Sequence, residues 1–245
     1  VHWLRVHEVP EAGKQALGRP IANLLKLNVG ESVKAFVPVK AFDESAFIIM
    51  ATKNGIVKKT SLIEYSNPRK GGIKAIIIDE GDELVNAALT DGSKKIVLAT
   101  INGMAVKFKE SDARPIGRTA KGVKGVRLKG NDKVVGMVVT DDDKTLLTVT
   151  DKGYGKKSLV SDYRLVNRGG SGVINIKATE KNGKAVAIKS VSESDELVLI
   201  SKNGVVIKIL AKDIRTIGRA TQGVRIMKLE ENDLLVAAAM IAEKE

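Results

Sequence analysis

Glu196-Leu197-Val198-Leu199-Ile200-Ser201, then Lys202-Asn203-Gly204, then Val205-Val206-Ile207-Lys208 is the stretch on which the fold turns. Two β-rich runs joined by Asn-Gly predict a hairpin, because both residues tolerate the positive φ that a tight turn demands. The hairpin pattern is written four times, with Lys152-Gly153 standing for Asn-Gly in the third. Its turn glycines are Gly55, Gly103, Gly153 and Gly204, at spacings of 48, 50 and 51 residues. A period near 50 predicts a repeat architecture.

Outward from each turn the order is the same: a strand, a polar loop with Arg and Gly, an apolar strand, an Asp-containing turn and two more strands. The loops are Pro68-Arg69-Lys70-Gly71-Gly72, Gly117-Arg118-Thr119-Ala120-Lys121-Gly122, Asn167-Arg168-Gly169-Gly170-Ser171-Gly172 and Gly218-Arg219-Ala220-Thr221-Gln222-Gly223. Ile73, Val123, Val173 and Val224 follow their last glycines, and Asp82, Asp132 and Asp233 each sit nine residues beyond such a position. The fourth unit has Lys181-Asn182-Gly183 there instead. Four strands per unit predict an all-β, propeller-like array in which neighbours stack to make the core. The approximate repeats are 1–52, 53–100, 101–150, 151–201 and 202–242, about five in one domain spanning 1–245, the first and last incomplete. Val1–Val6 reads as a strand whose hairpin partner would precede residue 1, and Val33–Val39 and Phe47–Thr52 are further strand candidates. Val1 is no natural initiator, so the chain is expected to be a fragment.

Aromatic residues make up only 3% of the chain, so the core must be Ile, Val, Leu and Ala. Forty-one Lys and Arg against 29 Asp and Glu favour a polyanionic partner, nucleic acid ahead of an anionic membrane surface. The absence of cysteine excludes disulfides and thiolate zinc sites and suits a reducing cytoplasm. The longest apolar run, Leu234 to Ala242, has nine residues, too short to span a bilayer, so no membrane partner is expected.

Overlaying the units exposes repeated charges. Lysine falls four residues after every turn glycine (Lys59, Lys107, Lys157, Lys208), and an acid nine residues after it (Glu64, Asp112, Asp162, Asp213). Every Arg-Gly loop has an arginine: Arg19, Arg69, Arg118, Arg168 and Arg219. The acid is read as structural, either capping a turn or pairing with the repeated lysine. The lysine divides between a solvated strand face and a phosphate contact. The arginines are read as functional, since glycine-flanked loops let backbone approach a phosphate while the guanidinium clamps it. With Lys70 and Lys121 from the same loops, these positions predict a basic track that binds nucleic-acid backbone rather than bases.

Other candidates carry less. Asp141-Asp142-Asp143 reads as a hairpin turn between Val139 and Leu146 rather than a divalent-metal site. His2 and His7 lack a third ligand at metal spacing. Tyr65, Tyr154 and Tyr163 have no base or metal cluster beside them, and no phosphate-binding loop or dinucleotide fingerprint occurs. The chain is therefore expected to be non-catalytic and to need no cofactor.

Several segments in order resemble the C-terminal domain of the DNA gyrase A protein: Gly18-Arg19-Pro20-Ile21-Ala22-Asn23-Leu24-Leu25, Ala51-Thr52-Lys53-Asn54-Gly55-Ile56-Val57-Lys58-Lys59-Thr60, Phe108-Lys109-Glu110-Ser111, Gly153-Tyr154-Gly155-Lys156-Lys157 and Gly218-Arg219-Ala220-Thr221-Gln222-Gly223-Val224. The resemblance spans nearly the whole chain. It implies a six-bladed β-pinwheel whose blades exchange strands, with double-stranded DNA bent around a basic rim. It implies too that the catalytic tyrosine and the ATPase lie elsewhere, in the rest of the gyrase A protein and in the gyrase B protein, the two forming a heterotetramer at the bacterial nucleoid. The family heptapeptide Gln-Arg-Arg-Gly-Gly-x-Gly is missing; Asn167–Gly172 is its nearest echo, and in the family the box belongs to the first blade, upstream of Val1. The related domain of the topoisomerase IV A protein and a propeller-like protein-interaction platform stay open as alternatives. A metal-dependent nuclease rests only on the Asp triplet.

Overall fold

The computed structural model describes residues 1–11, 20–25, 27, 28 and 30–241. In chain order the strands are β1 (Phe47–Thr52), β2 (Ile56–Ser61), β3 (Leu84–Thr90), β4 (Lys95–Thr100), β5 (Met104–Lys109), β6 (Val123–Lys124) and β7 (Val134–Thr140). They continue with β8 (Thr145–Thr150), β9 (Tyr154–Leu159), β10 (Val173–Ile174), β11 (Ala185–Val191), β12 (Glu196–Ser201), β13 (Val206–Leu210), β14 (Val224–Arg225) and β15 (Leu235–Met240). The described helical segments are all short 3-10 turns.

Three sheets have four strands, in the orders β3-β1-β2-β6, β10-β5-β4-β7 and β11-β8-β9-β14, and a fourth has three, β13-β12-β15. In each, a hairpin is flanked on one side by the next long strand. On the other side of the complete sheets lies a two-residue strand that arrives from beyond the following hairpin: β6 pairs with β2, β10 with β5 and β14 with β9. Every complete sheet therefore borrows a strand from its successor. The fold is the strand-exchanged, propeller-like array.

The hairpins form at the four predicted turn glycines, but by a different turn. Asn232 is the one described non-glycine residue with positive φ, so only the glycines of the turns are left-handed. Thr52 O accepts from Gly55 N at 2.9 Å, and Lys53-Asn54-Gly55 forms a three-residue loop ending in left-handed glycine. These glycines also lie at the seam between repeats. Gly103 O accepts from Asn175 N and Ile176 N at 2.8 and 3.1 Å, and Gly55 and Gly153 do the same for Gly125–Val126 and Ile226–Met227.

The core lies between successive sheets. Ile49, Ala51 and Val57 of the first meet Ile96, Leu98, Val106 and Phe108 of the second, and Leu147 and Val149 of the third meet Leu197 and Leu199 of the fourth. The pattern of burial follows. β4 and β8, covered on both faces, are buried along their apolar runs, whereas β12 alternates, with Leu197 and Leu199 inside. Burial of each such side chain contributes about 1.5–3 kcal/mol.

Two expected strands are absent. Val1–Arg5 belongs to no strand, although Val1 and Ile73 exchange backbone hydrogen bonds at 2.7 and 2.9 Å, and Val6–Glu8 is a 3-10 turn. Residues 33–39 are irregular. Period-two alternation there lacks an adjacent edge among the described residues, and pairing rather than propensity makes a strand.

Candidate nucleic-acid interface

The Arg-Gly loops are placed by the strand exchange. After β5 the chain makes a 3-10 turn, runs back along β2 through a parallel bridge between Lys59 and Pro115, turns, and returns as β6. Lys107 with Leu165 and Lys157 with Thr216 repeat the bridge. Each loop thus sits on the outer edge of the preceding sheet. The closing glycines approach protein, not an open phosphate cradle: a Cβ at Gly122, Gly172 or Gly223 would stand 2.6, 2.3 or 2.8 Å from the carbonyl oxygen of Val57, Ala105 or Gly155.

The loop arginines fasten the seam. Arg168 donates from Nε to Asp112 O at 3.1 Å and from Nη1 to Lys124 O at 2.6 Å. Arg219 does the same to Asp162 O at 3.1 Å and Ile174 O at 2.8 Å. Arg118 Nε lies 3.7 Å from Glu64 Oε2. The Arg168 and Arg219 guanidinium groups are half-buried with one edge engaged, which leaves the other edge open to a ligand. Arg69 and Lys70 are exposed beside His2 and Trp3. Lys121 is exposed and pairs with Asp79. Arg19 lies outside the described residues.

Lys59, Lys107 and Lys157 correct the sequence reading. Lys59 is 4% exposed, 3.5 Å from the fully buried Glu110 carboxylate and 5.0 Å from the centre of the Phe47 ring. Lys107 donates to Asp142 at 2.9 Å and Lys157 to Glu193 at 2.6 Å. Neutralised inside the sheets, these ammonium groups offer no surface charge to a phosphate. Nor do they pair with the repeated acid, whose backbone carbonyl (Asp112, Asp162) instead receives the loop arginine. The Asp triplet forms its turn, with Asp141 paired to Lys94 and Asp142 to Lys95 and Lys107.

The structure brings forward cations that the reading passed over. Arg114, Arg164 and Arg215, each four residues before a loop arginine, are all exposed and have no ion-pair partner among the described residues. Lys124 and Arg225 lie on the exchanged strands, with Lys74 at the matching position, and all three are exposed. Arg127 and Lys177 are exposed at points whose amides bond to the next loop, at Gly170 O and Thr221 O, and Lys228 occupies the equivalent place. Arg164 and Arg168 line one open concavity with Asn167 and the glycines that follow. The spacing of Arg114, Arg164 and Arg215, 50 and 51 residues, was available in the sequence.

Fold and surface together define a strand-exchanged β-propeller with a repeating cationic outer edge. The model of a family described as the DNA gyrase C-terminal domain, β-propeller, matches residues 3–40, 46–91, 94–141, 144–192 and 195–242, and the chain belongs to that family. It is 51% identical over 241 residues to the DNA gyrase A protein of Halalkalibacterium halodurans, covering 98% of this chain and 29% of that one. It is 41% identical over 243 residues to that of Klebsiella oxytoca, covering 99% and 28%. The chain therefore spans about three-tenths of the length of these relatives. Among solved structures it resembles a topoisomerase IV C-terminal domain (TM-score 0.87, 29% identity, 96% of this chain and 74% of that one) and a gyrase A C-terminal domain (0.82, 26%, 91% and 75%).

Proposed function

We propose that this chain binds duplex DNA without sequence preference and bends it along its basic edge, as the wrapping element of a gyrase A protein. The observation that carries this is the recurrence of exposed arginines, without ion-pair partners among the described residues, at one place in successive repeats, Arg114, Arg164 and Arg215. Cations spaced along a rim and mounted on backbone-anchored loops fit a regular line of phosphates. Arg69, Lys70, Lys121 and the free edges of Arg118, Arg168 and Arg219 extend the track, and Arg19 stands 50 residues before Arg69 in the sequence.

The chain contributes binding. Cleavage and ATP hydrolysis belong to other parts of the gyrase A protein and to the gyrase B protein, in a heterotetramer acting on bacterial chromosomal DNA in the cytoplasm. Tyr65, Tyr154 and Tyr163 are at most 9% exposed, which supports the non-catalytic reading. The gyrase assignment is favoured over topoisomerase IV by the gyrase A relatives at 41–51% identity. The test is a salt series with unrelated duplexes. With about 6–10 phosphates contacted, affinity falls roughly 10³–10⁵-fold between 50 and 200 mM salt. Salt-insensitive binding, or strong preference for one duplex, sinks the reading.

A further inference from the structure

Two of the four hairpins carry a polar set where the other two carry an apolar one. Lys58, Thr60 and Tyr65 in the first sheet match Lys156, Ser158 and Tyr163 in the third; Val106, Phe108 and Ala113 in the second match Ile207, Ile209 and Ile214 in the fourth. Lys58 and Lys156 are 1% and 0% exposed. Lys58 Nζ donates to the carbonyls of Ala75 and Arg118, and Lys156 Nζ to Ser158 Oγ and, at 3.3 Å, to Gly218 O. The hydroxyls work on the same loops: Thr60 donates to Ile116 O at 3.0 Å and Ser158 to Ile217 O at 2.8 Å.

All three loops share one backbone anchor: Ile116 N to Lys59 O, Val166 N to Lys107 O and Ile217 N to Lys157 O, each at 2.9 Å. Only the loops carrying Arg118 and Arg219 are gripped in addition by a buried ammonium and a hydroxyl. The loop of Arg168 has Val106 and Phe108 at the corresponding positions and three glycines of its own. A buried ammonium without a carboxylate partner is costly, and the sister sheets show that Val or Ile fills the position.

We propose that Lys58 and Lys156 are positioning residues for the DNA track, holding the loops of Arg118 and Arg219, whereas the loop of Arg168 is held at the same place by backbone, through Gly169 N on Gly125 O at 2.8 Å. The charged neighbours are Glu64 and Arg118 at Lys58, and Asp162 and Arg219 at Lys156; burial, the larger effect, pushes both lysines down to about 8. Neutral replacement would therefore relieve a cost while freeing the loop, a combination expected of a group kept for geometry. The proposal rests on the DNA-binding reading, and its test separates the two.

Amide hydrogen exchange without DNA reads the clamp. In the unmodified chain the anchored amides of Ile116, Val166 and Ile217 are all protected. Replacing the first set by its apolar counterpart (Lys58→Val, Thr60→Phe, Tyr65→Ala) speeds exchange in 116–122 roughly tenfold and leaves 166–172 unchanged. If that variant does not fold, Lys58→Met serves, and unchanged exchange in 116–122 overturns the proposal. DNA titration then reads the consequence. Lys58→Met lowers affinity about threefold to tenfold in the native background and not in Arg118→Gln, because a residue acting through Arg118 has no effect once Arg118 is gone. An equal loss in both backgrounds overturns positioning. Absence of DNA binding altogether overturns the functional reading while exchange still decides the clamp.

Discussion

Asp132 reaches back thirty residues to the turn of the preceding hairpin, where its Oδ1 accepts the amide of Asn102 at 3.0 Å as well as that of Lys133 at 2.9 Å. Asp82 with Asn54 and Asp233 with Asn203 repeat the bond. In the remaining repeat the partners trade places: Asp151 in the hairpin turn accepts from Lys184 N, and Asn182 in the far turn caps Thr179. Asp132 is 6% exposed, so its loss leaves two amides without an acceptor. Asp132→Ala is expected to cost about 1.5–3 kcal/mol in urea unfolding, whereas Asp143→Ala, exposed in its turn, stays within roughly 0.5 kcal/mol.

The turn glycines test the seam. Gly103 and Gly204 have nearly the same φ, 79° and 85°, yet a Cβ at Gly103 would stand 2.2 Å from Ile176 O while one at Gly204 meets nothing within 4 Å. Gly204→Ala should cost about 1 kcal/mol, the left-handed penalty alone. Gly103→Ala adds a backbone clash and should cost several-fold more, read as the difference in thermal midpoints. Equal costs would mean that the repeats are not joined there.

Exposed and buried cations should separate cleanly in DNA binding. Replacing Arg114, Arg164 and Arg215 by Gln is expected to lower the slope of log affinity against log salt by roughly 3, about 0.9 per phosphate contact, with the unfolding midpoint unchanged. Lys59→Met should act the other way round. It strands the buried Glu110 carboxylate, costing about 3–5 kcal/mol of stability, and leaves the salt slope of the folded chain intact.

The pH dependence of stability follows from Lys58 and Lys156. Burial lowers both from 10.5 to about 8, so between those values the unfolded chain holds protons that the folded chain has released. Stability then rises with pH, by at most about 1.4 kcal/mol per pH unit per lysine, and below about 8 the cost of charge burial is constant. Compared at pH 7.5 and 9.5, the unmodified chain should gain on Lys58→Met/Lys156→Met as the pH rises. A constant difference would show that the ammonium groups are not penalised inside the sheets.

Bending should appear as a dependence on duplex length. A bend of 40–90° over 20–30 base pairs costs on the order of 1–6 kcal/mol, which contacts on later repeats must offset. Duplexes reaching one or two repeats are expected to bind weakly and longer ones more tightly. Energy transfer between labelled ends should report a shorter distance when Arg164 and Arg215 are present than in their Gln variants.

What the sequence by itself determined is whatever depends on local chemistry and period. Turn glycines recurring every 48–51 residues specify hairpins, because few residues suit those backbone positions, and their repetition specifies an array. Tertiary structure alone decided where the strands between them pair. Val123-Lys124 is a two-residue strand with no partner of its own, and its place on β2 follows from the seam at Gly55, where Gly125 and Val126 meet the turn carbonyl. Charge behaved in the same way. Lys59 and Arg114 are both repeated cations in the sequence, and nothing local separates them. Packing covers both faces of β2 and buries Lys59 beside Glu110, whereas Arg114 precedes the single bridge at Pro115 and stays in solvent.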